Sequence, residues 1–196
     1  MLTLTYHSTH IYVLDINRGK LLVDCGWPDS YNEFSATAKR AGLNPVEIRY
    51  LFVTHFHMDH AGLVQDLKNQ GATLILMESQ VDAIQPLNDY LRMKKIGFRD
   101  IQTKDNFILP FAKSRAYLAR LNLDGEIIPT PGHSPDHASL ILDDGSAFTG
   151  DLPPPSLVTE EQEELNASWK RVMERPVTRI YPAHGKSYIP KAMENQ

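Results

Sequence analysis

Residues 54–62 read Thr-His-Phe-His-Met-Asp-His-Ala-Gly. The run before them, residues 49–54 (RYLFVT), is β-branched and aromatic and reads as a short buried strand. In extended chain, side chains two apart share a face, so His55 and His57 point the same way. Downstream, Ala61, Leu63, Val64 and Leu67 mark an apolar helical face that Gly71 closes. Asp59 and His60 then fall in the first turn of that helix. Two donors from a strand end and two from a helix start can converge on one pocket. Imidazole and carboxylate are ligands that zinc, iron and manganese accept. One histidine, or one aspartate capping a helix, needs no metal. Three histidines and an aspartate at such a junction point to a metal site.

Working outward, residues 11–24 are two apolar runs around Asn17-Arg18-Gly19-Lys20, the pattern of a hairpin. Residues 25–30 are loop chemistry, and Ser30 is placed to cap a helix running to about Gly42. A strand is expected over residues 73–77. Residues 80–121 have helical character, broken at Pro86, Gly97 and Pro110. Strands return at 126–130, 138–142 and 146–149, the last two joined by the turn Asp143-Asp144-Gly145. A rigid run of three prolines, 153–155, precedes a capping box of Thr159 and Gln162. The next helix carries Leu165, Trp169, Val172 and Met173 on one face, and a last strand covers 178–181. Strands and helices mixed in this way argue for a layered α/β domain spanning residues 1–196.

Three further candidate ligands follow strands. His133 lies in T-P-G-H-S-P-D-H (130–137), Asp151 ends F-T-G-D (148–151), and His184 lies in Y-P-A-H-G (181–185). Taken with the H-x-H-x-D-H core, in this order, these motifs resemble the metallo-β-lactamase superfamily of hydrolases. The resemblance runs from the first hairpin to His184. It implies a four-layered αβ/βα sandwich with two divalent metal ions between its sheets, zinc first, with iron or manganese as alternatives. By the superfamily pattern, His55, His57 and His133 hold one metal, Asp59, His60 and His184 the other, and Asp151 bridges them. Asp24 matches a position that orients a metal-binding histidine. A carboxylate on the far ring nitrogen would fix tautomer and direction. The implied chemistry is attack by a metal-bridged hydroxide on a carbonyl or phosphorus, with Asp59 as the catalytic residue that handles the leaving group's proton.

The resemblance also narrows the substrate. Asp151 stands where one lactamase class carries a cysteine and another has no ligand, which disfavours a β-lactamase. The TPGHSPDH phrase is similar to that of glyoxalase II and related thioesterases, yet only twelve residues follow His184. The first expectation is therefore a small thioester, ester or lactone rather than a glutathione thioester. The alternatives are a mononuclear iron oxygenase similar to persulfide dioxygenases, and a phosphodiesterase or nuclease of the superfamily. A third class, a binding module that has lost its chemistry, would be expected to lack ligands. His137 is a candidate for contacting substrate or supporting His133. Residues 92–120 carry eight Lys and Arg against Asp100 and Asp105. Lys113 and Arg115 are the candidates there for holding an anionic substrate, the bland reading being a solvated helix face.

Composition sets outer bounds. A chain of 196 residues, 42% hydrophobic and 22% charged, can bury a real core. Its net charge of −4 implies no general affinity for nucleic acid, and no RNA-binding extension is recognisable. One cysteine, Cys25, excludes an internal disulfide, is read as structural, and fits a reducing compartment. No stretch is apolar for long enough to span a bilayer, and the first residues lack signal-peptide character. The expectation is a cytoplasmic enzyme with a small-molecule substrate and no membrane partner.

Overall fold

The computed structural model describes residues 1–104 and 106–190, so Asp105, counted above in the basic segment, lies outside the described residues. In chain order the elements are β1 (Leu2–Tyr6), β2 (Thr9–Ile16), β3 (Gly19–Val23), α1 (Tyr31–Arg40), β4 (Ile48–Phe52), α2 (Met58–Ala61) and α3 (Val64–Asn69). Then come β5 (Thr73–Met77), α4 (Ile84–Met93), β6 (Phe107–Leu109), α5 (Ser114–Arg120) and β7 (Gly125–Pro129). The last four are β8 (Ala138–Leu142), β9 (Ser146–Gly150), α6 (Glu163–Met173) and β10 (Arg179–Pro182). One sheet has the order β1-β2-β3-β4-β5-β6, and the other β10-β9-β8-β7.

Period-two alternation distributes the side chains into three apolar layers. Ile11 and Val13 of β2, Leu22 of β3, and Leu74 and Leu76 of β5 face outward, onto Phe34 of α1, Leu67 of α3 and Leu91 of α4. Their alternates Tyr12, Leu14, Leu21, Val23, Ile75 and Met77 face the second sheet, where Ile127, Leu140 and Phe148 meet them. On the far face of the second sheet, Ile128, Ile141, Ala147 and Ile180 pack on Leu165, Trp169 and Val172 of α6. Helices, sheet, sheet and helix make a four-layered αβ/βα sandwich. Burial on both faces explains why residues 74–77 of β5 and 140–142 of β8 are apolar without alternation.

Several local expectations are corrected. The first strand, β1, was not read from sequence, although Leu2, Leu4 and Tyr6 alternate with threonines. The helix after the histidine cluster is two short helices. Gly62 separates them, and a Cβ there would collide with the backbone of Trp27 and Pro28. The chain must therefore bend where the two segments touch. Pro86 does not break α4; it sits in the first turn, where no intrahelical N–H is needed. Residues 107–109 are not helical but add a parallel edge strand to β5. Thr159 N–H does donate to Gln162 Oε1 at 2.8 Å, yet α6 begins only at Glu163, so this box closes the preceding turn. No helix among the described residues is long and apolar enough to cross a membrane.

Strand direction places the site. β3, β4, β5 and β6 run parallel, and β9 and β10 run parallel in the other sheet. Their C-terminal ends emerge at one edge of the sandwich. Two backbone hydrogen bonds join the halves there, Ala138 N–H to Thr54 O and His10 N–H to Ala183 O, both 2.8 Å.

Candidate metal centre

All seven candidate ligands lie just beyond strand ends at this edge. His55 and His57 follow β4, Asp59 and His60 open α2, and His133, Asp151 and His184 follow β7, β9 and β10. They gather as two groups, His55 with His57 and His133, and Asp59 with His60, Asp151 and His184. Within each group the donor atoms lie within 4.8 Å of one another.

The closer spacings are informative. His133 Nε2 is 3.1 Å from His57 Nδ1, and His184 Nε2 is 3.1 Å from Asp59 Oδ2. His60 Nε2 is 3.4 Å from Asp59 Oδ2 and 3.2 Å from Asp151 Oδ2. Donors on a tetrahedral zinc, each about 2.0–2.1 Å from the ion, stand about 3.3 Å apart. Asp151 faces both groups: one oxygen is 3.6 Å from His133 and 3.9 Å from His55, and the other 3.3 Å from His184. His55 Nε2, His60 Nε2 and Asp151 Oδ1 are buried without a hydrogen-bond partner among the described residues. Buried polar atoms are rarely left so. Donor atoms converging at coordination spacing, three of them buried and unpartnered, fit cations as the missing partner.

Asp24 holds this arrangement from behind. It is 2% exposed, with Oδ2 2.9 Å from His60 Nδ1, and its Oδ1 accepts Thr54 N–H at 2.8 Å and Thr54 Oγ1–H at 3.0 Å. With Nδ1 so engaged, Nε2 of His60 turns to the centre. His184 is set likewise, its Nδ1 2.7 Å from the carbonyl of Ser8. Asp136, within the TPGHSPDH stretch but given no role above, accepts Phe56 N–H at 2.8 Å and so fixes the backbone between His55 and His57. Gln80 donates to the carbonyls of Val53 and Thr54 from the 3-10 turn after β5. Gln80 lies in no motif quoted above, and Asp136 lies in one without a role its position there reveals. Only the fold brings them to the cluster.

The electrostatics divide the donors. Burial opposes ionisation of Asp59, but the neighbouring His60 outweighs it and holds the carboxyl at about 2. Asp151 is likewise lowered, His60 and His184 overcoming its burial. Burial and neighbouring imidazoles push His55 and His133 down, leaving neutral rings with free lone pairs. His60 is the exception. Burial lowers it, yet Asp24, Asp151 and Asp59 together raise it well above an ordinary histidine.

His137 is placed apart from any substrate path. It is 1% exposed, its Nδ1 is 2.9 Å from Thr130 Oγ1, and burial lowers it to about 3. Its ring centroid lies 5.1 Å from that of His55, so it packs behind the ligands rather than facing the opening. Of the two roles expected of His137, burial behind the ligands fits the supporting one. The expectation for Arg115 is corrected: it pairs with Asp143 at 2.8 Å and Glu126 at 3.3 Å, at the opposite end of the second sheet. Lys113 is exposed at the N-terminal cap of α5. Other cations of the basic segment pair locally, Arg92 with Asp89 and Asp100, and Arg99 with Asp66. Three of the eight cations are thus neutralised by carboxylates, and Lys94, Lys95, Lys104, Lys113 and Arg120 are exposed. Cys25 is buried with its thiol on the His60 carbonyl, and burial raises its pKa, which leaves it unreactive.

Close packing behind the centre yields one prediction. Gly150 has φ +49°, and a Cβ there would overlap Thr54 Oγ1 and stand 2.9 Å from His137 Nε2. Gly42 has φ +81° but open space around it. Both alanine variants bear the left-handed strain, but only Gly150→Ala adds an overlap costing about 1–3 kcal/mol. Its melting temperature should fall several degrees further than that of Gly42→Ala; equal losses in thermal melts would refute the packing argument.

The fold is a two-sheet sandwich with a cluster of metal-ligand residues at one edge, and the sequence comparison assigns its family. Residues 4–184 match the family profile of the metallo-beta-lactamase superfamily, and the chain belongs to that superfamily. Among its relatives, a beta-lactamase-like protein 2 homolog of Caenorhabditis elegans is 29% identical over 187 residues, 92% of this chain and 57% of the relative. An atrochrysone carboxyl ACP thioesterase of Aspergillus fumigatus is 30% identical, over 92% of this chain and 38% of that protein. An N-acyl homoserine lactonase of Bacillus cereus is 28% identical over 67% of this chain and 57% of its own length. The chain thus spans well under two thirds of each. Among solved structures, TTHA1623 in a di-iron-bound form superposes with a TM-score of 0.68 at 23% identity, covering 96% of this chain and 93% of that one.

Proposed function

We propose that the chain is a metal-dependent hydrolase of small thioesters, esters or lactones, with two cations, zinc first, held between its sheets. The observation that carries this reading is the set of seven donors at coordination spacing, with Asp151 facing both groups. Superfamily membership supports the reaction class, and the thioesterase and lactonase among the relatives support an acyl substrate. His55, His57 and His133 would hold one ion; Asp59, His60 and His184 would hold the other, with Asp151 shared. Bound there, divalent cations lower the pKa of water towards neutrality and polarise a carbonyl oxygen. The protein's own part is orientation and proton handling. Asp24 and the Ser8 carbonyl fix the rings of His60 and His184. Asp59, ionised and partly exposed, is placed to carry a proton to the leaving group. His57 and His133 reach the surface, so substrate enters over them, while buried His55 and His60 form the floor. The single buried Cys25 is compatible with a reducing compartment such as the cytoplasm.

Metal content by mass spectrometry, followed by assays on thioester, lactone and phosphodiester panels, tests the proposal. Near two zinc ions per chain with acyl hydrolysis is the expected result. One iron per chain with oxygen consumption on a thiol persulfide would replace it with the oxygenase reading, and phosphodiester cleavage alone with the phosphodiesterase reading. Because coordination needs unprotonated imidazole nitrogens, and Asp24, Asp151 and Asp59 raise His60 well above an ordinary histidine, metal uptake should weaken as pH falls.

A further inference from the structure

A second concave site lies at the other end of the sandwich, where β3, β4 and β5 begin. It is a cleft of about 860 Å³, within the range of small-molecule sites. Arg18, Arg49 and Arg120 line it, with Glu47 the one carboxylate among its lining residues. Tyr50 and Tyr117 form an aromatic wall, ring centroids 6.3 Å apart and edge to face.

The three arginines are brought together by specific contacts. Asn17 N–H donates to Leu121 O at 3.0 Å and its side-chain amide to Arg120 O at 2.8 Å, which ties the β2–β3 turn carrying Arg18 to the end of α5. The stem of Arg49 lies over Gly19, where a Cβ would collide with it. Elsewhere among the described residues Arg92, Arg99, Arg115 and Arg175 are in ion pairs, and Arg40, Arg171 and Arg179, which are not, do not line this cleft. Among the described residues, Arg18, Arg49 and Arg120 are in none. One cation at the end of α5 suits the helix dipole, but that needs only Arg120. Three guanidinium groups around one cleft repel each other unless an anion joins them, and their planar forks match phosphate oxygens.

We propose that this cleft binds a small phosphorylated ligand, its phosphoryl groups held by Arg18, Arg49 and Arg120 and any organic part lying against Tyr50 and Tyr117. The site is remote from the metal centre and independent of its chemistry.

Calorimetric titration of the full chain with ADP and with pyrophosphate, at low ionic strength, tests this. Saturable one-to-one binding is expected, weakened about tenfold by either Arg49→Gln or Arg120→Gln, since each removes a charged hydrogen-bonding partner. His57→Ala, at the other end of the molecule, should leave it unchanged. ADP binding more tightly than pyrophosphate would identify a nucleotide-like ligand, and equal affinities an inorganic polyphosphate; both support the site. No saturable binding, or binding lost in His57→Ala but kept in the arginine variants, would overturn it.

Discussion

Asp151→Ala is expected to abolish metal retention and hydrolysis together. Among the described carboxylates it alone lies within 4.0 Å of both donor groups, with His133 and His55 on one side and His60 and His184 on the other. Removing it takes a shared anionic donor from each and leaves several imidazoles crowded with less negative charge to balance bound cations. The loss of several kcal/mol of transition-state stabilisation corresponds to about 10³-fold or more in rate. Residue 151 follows β9 without itself supporting the core, so the variant should remain folded by circular dichroism. Metal content and rate within tenfold of the parent would show that Asp151 is not the shared ligand.

Asp24→Asn should separate orientation from folding. The carboxylate accepts from Thr54 N–H and lies 2.9 Å from His60 Nδ1, so the ring carries its proton on Nδ1 and points a lone pair from Nε2 at the centre. An asparagine oxygen can keep the Thr54 bond. Its amide then has to donate to Nδ1, which forces the proton onto Nε2, where it blocks coordination. Asparagine also tolerates the left-handed φ of 63° at this position. We therefore expect a folded protein with about 10–100-fold weaker metal binding, as for other partners of metal-bound histidines. Asp24→Ala should do worse, since it strands buried donors at about 1–3 kcal/mol each and adds backbone strain. Metal titrations that find Asp24→Asn equal to the parent would sink the tautomer argument.

Much of the centre was legible because its first four donors are local. His55, His57, Asp59 and His60 sit at a strand-to-helix junction that periodicity alone can locate. His133, Asp151 and His184 were legible as residues following strands, since the parallel strands of a layered fold deliver their ends to one edge. What sequence hides is partnership at a distance. Arg115 looks free in a basic run until Asp143 and Glu126 fold against it. His137 looks like a contact residue until Thr130 and the second sheet enclose it. The short strand β6 was invisible because three residues cannot establish a period, and only pairing with β5 makes them a strand.

The seam between the sheets has a further consequence. The turn after β4 supplies one half of the donors and the ends of β7, β9 and β10 the other, and Ala138–Thr54 and His10–Ala183 stitch the two together at that edge. Neither half of the chain holds a complete donor set. A cation bound there would act as a rivet, so part of its affinity would appear as cohesion between two halves of one molecule, and a chelator would pull on the fold as well as on the chemistry.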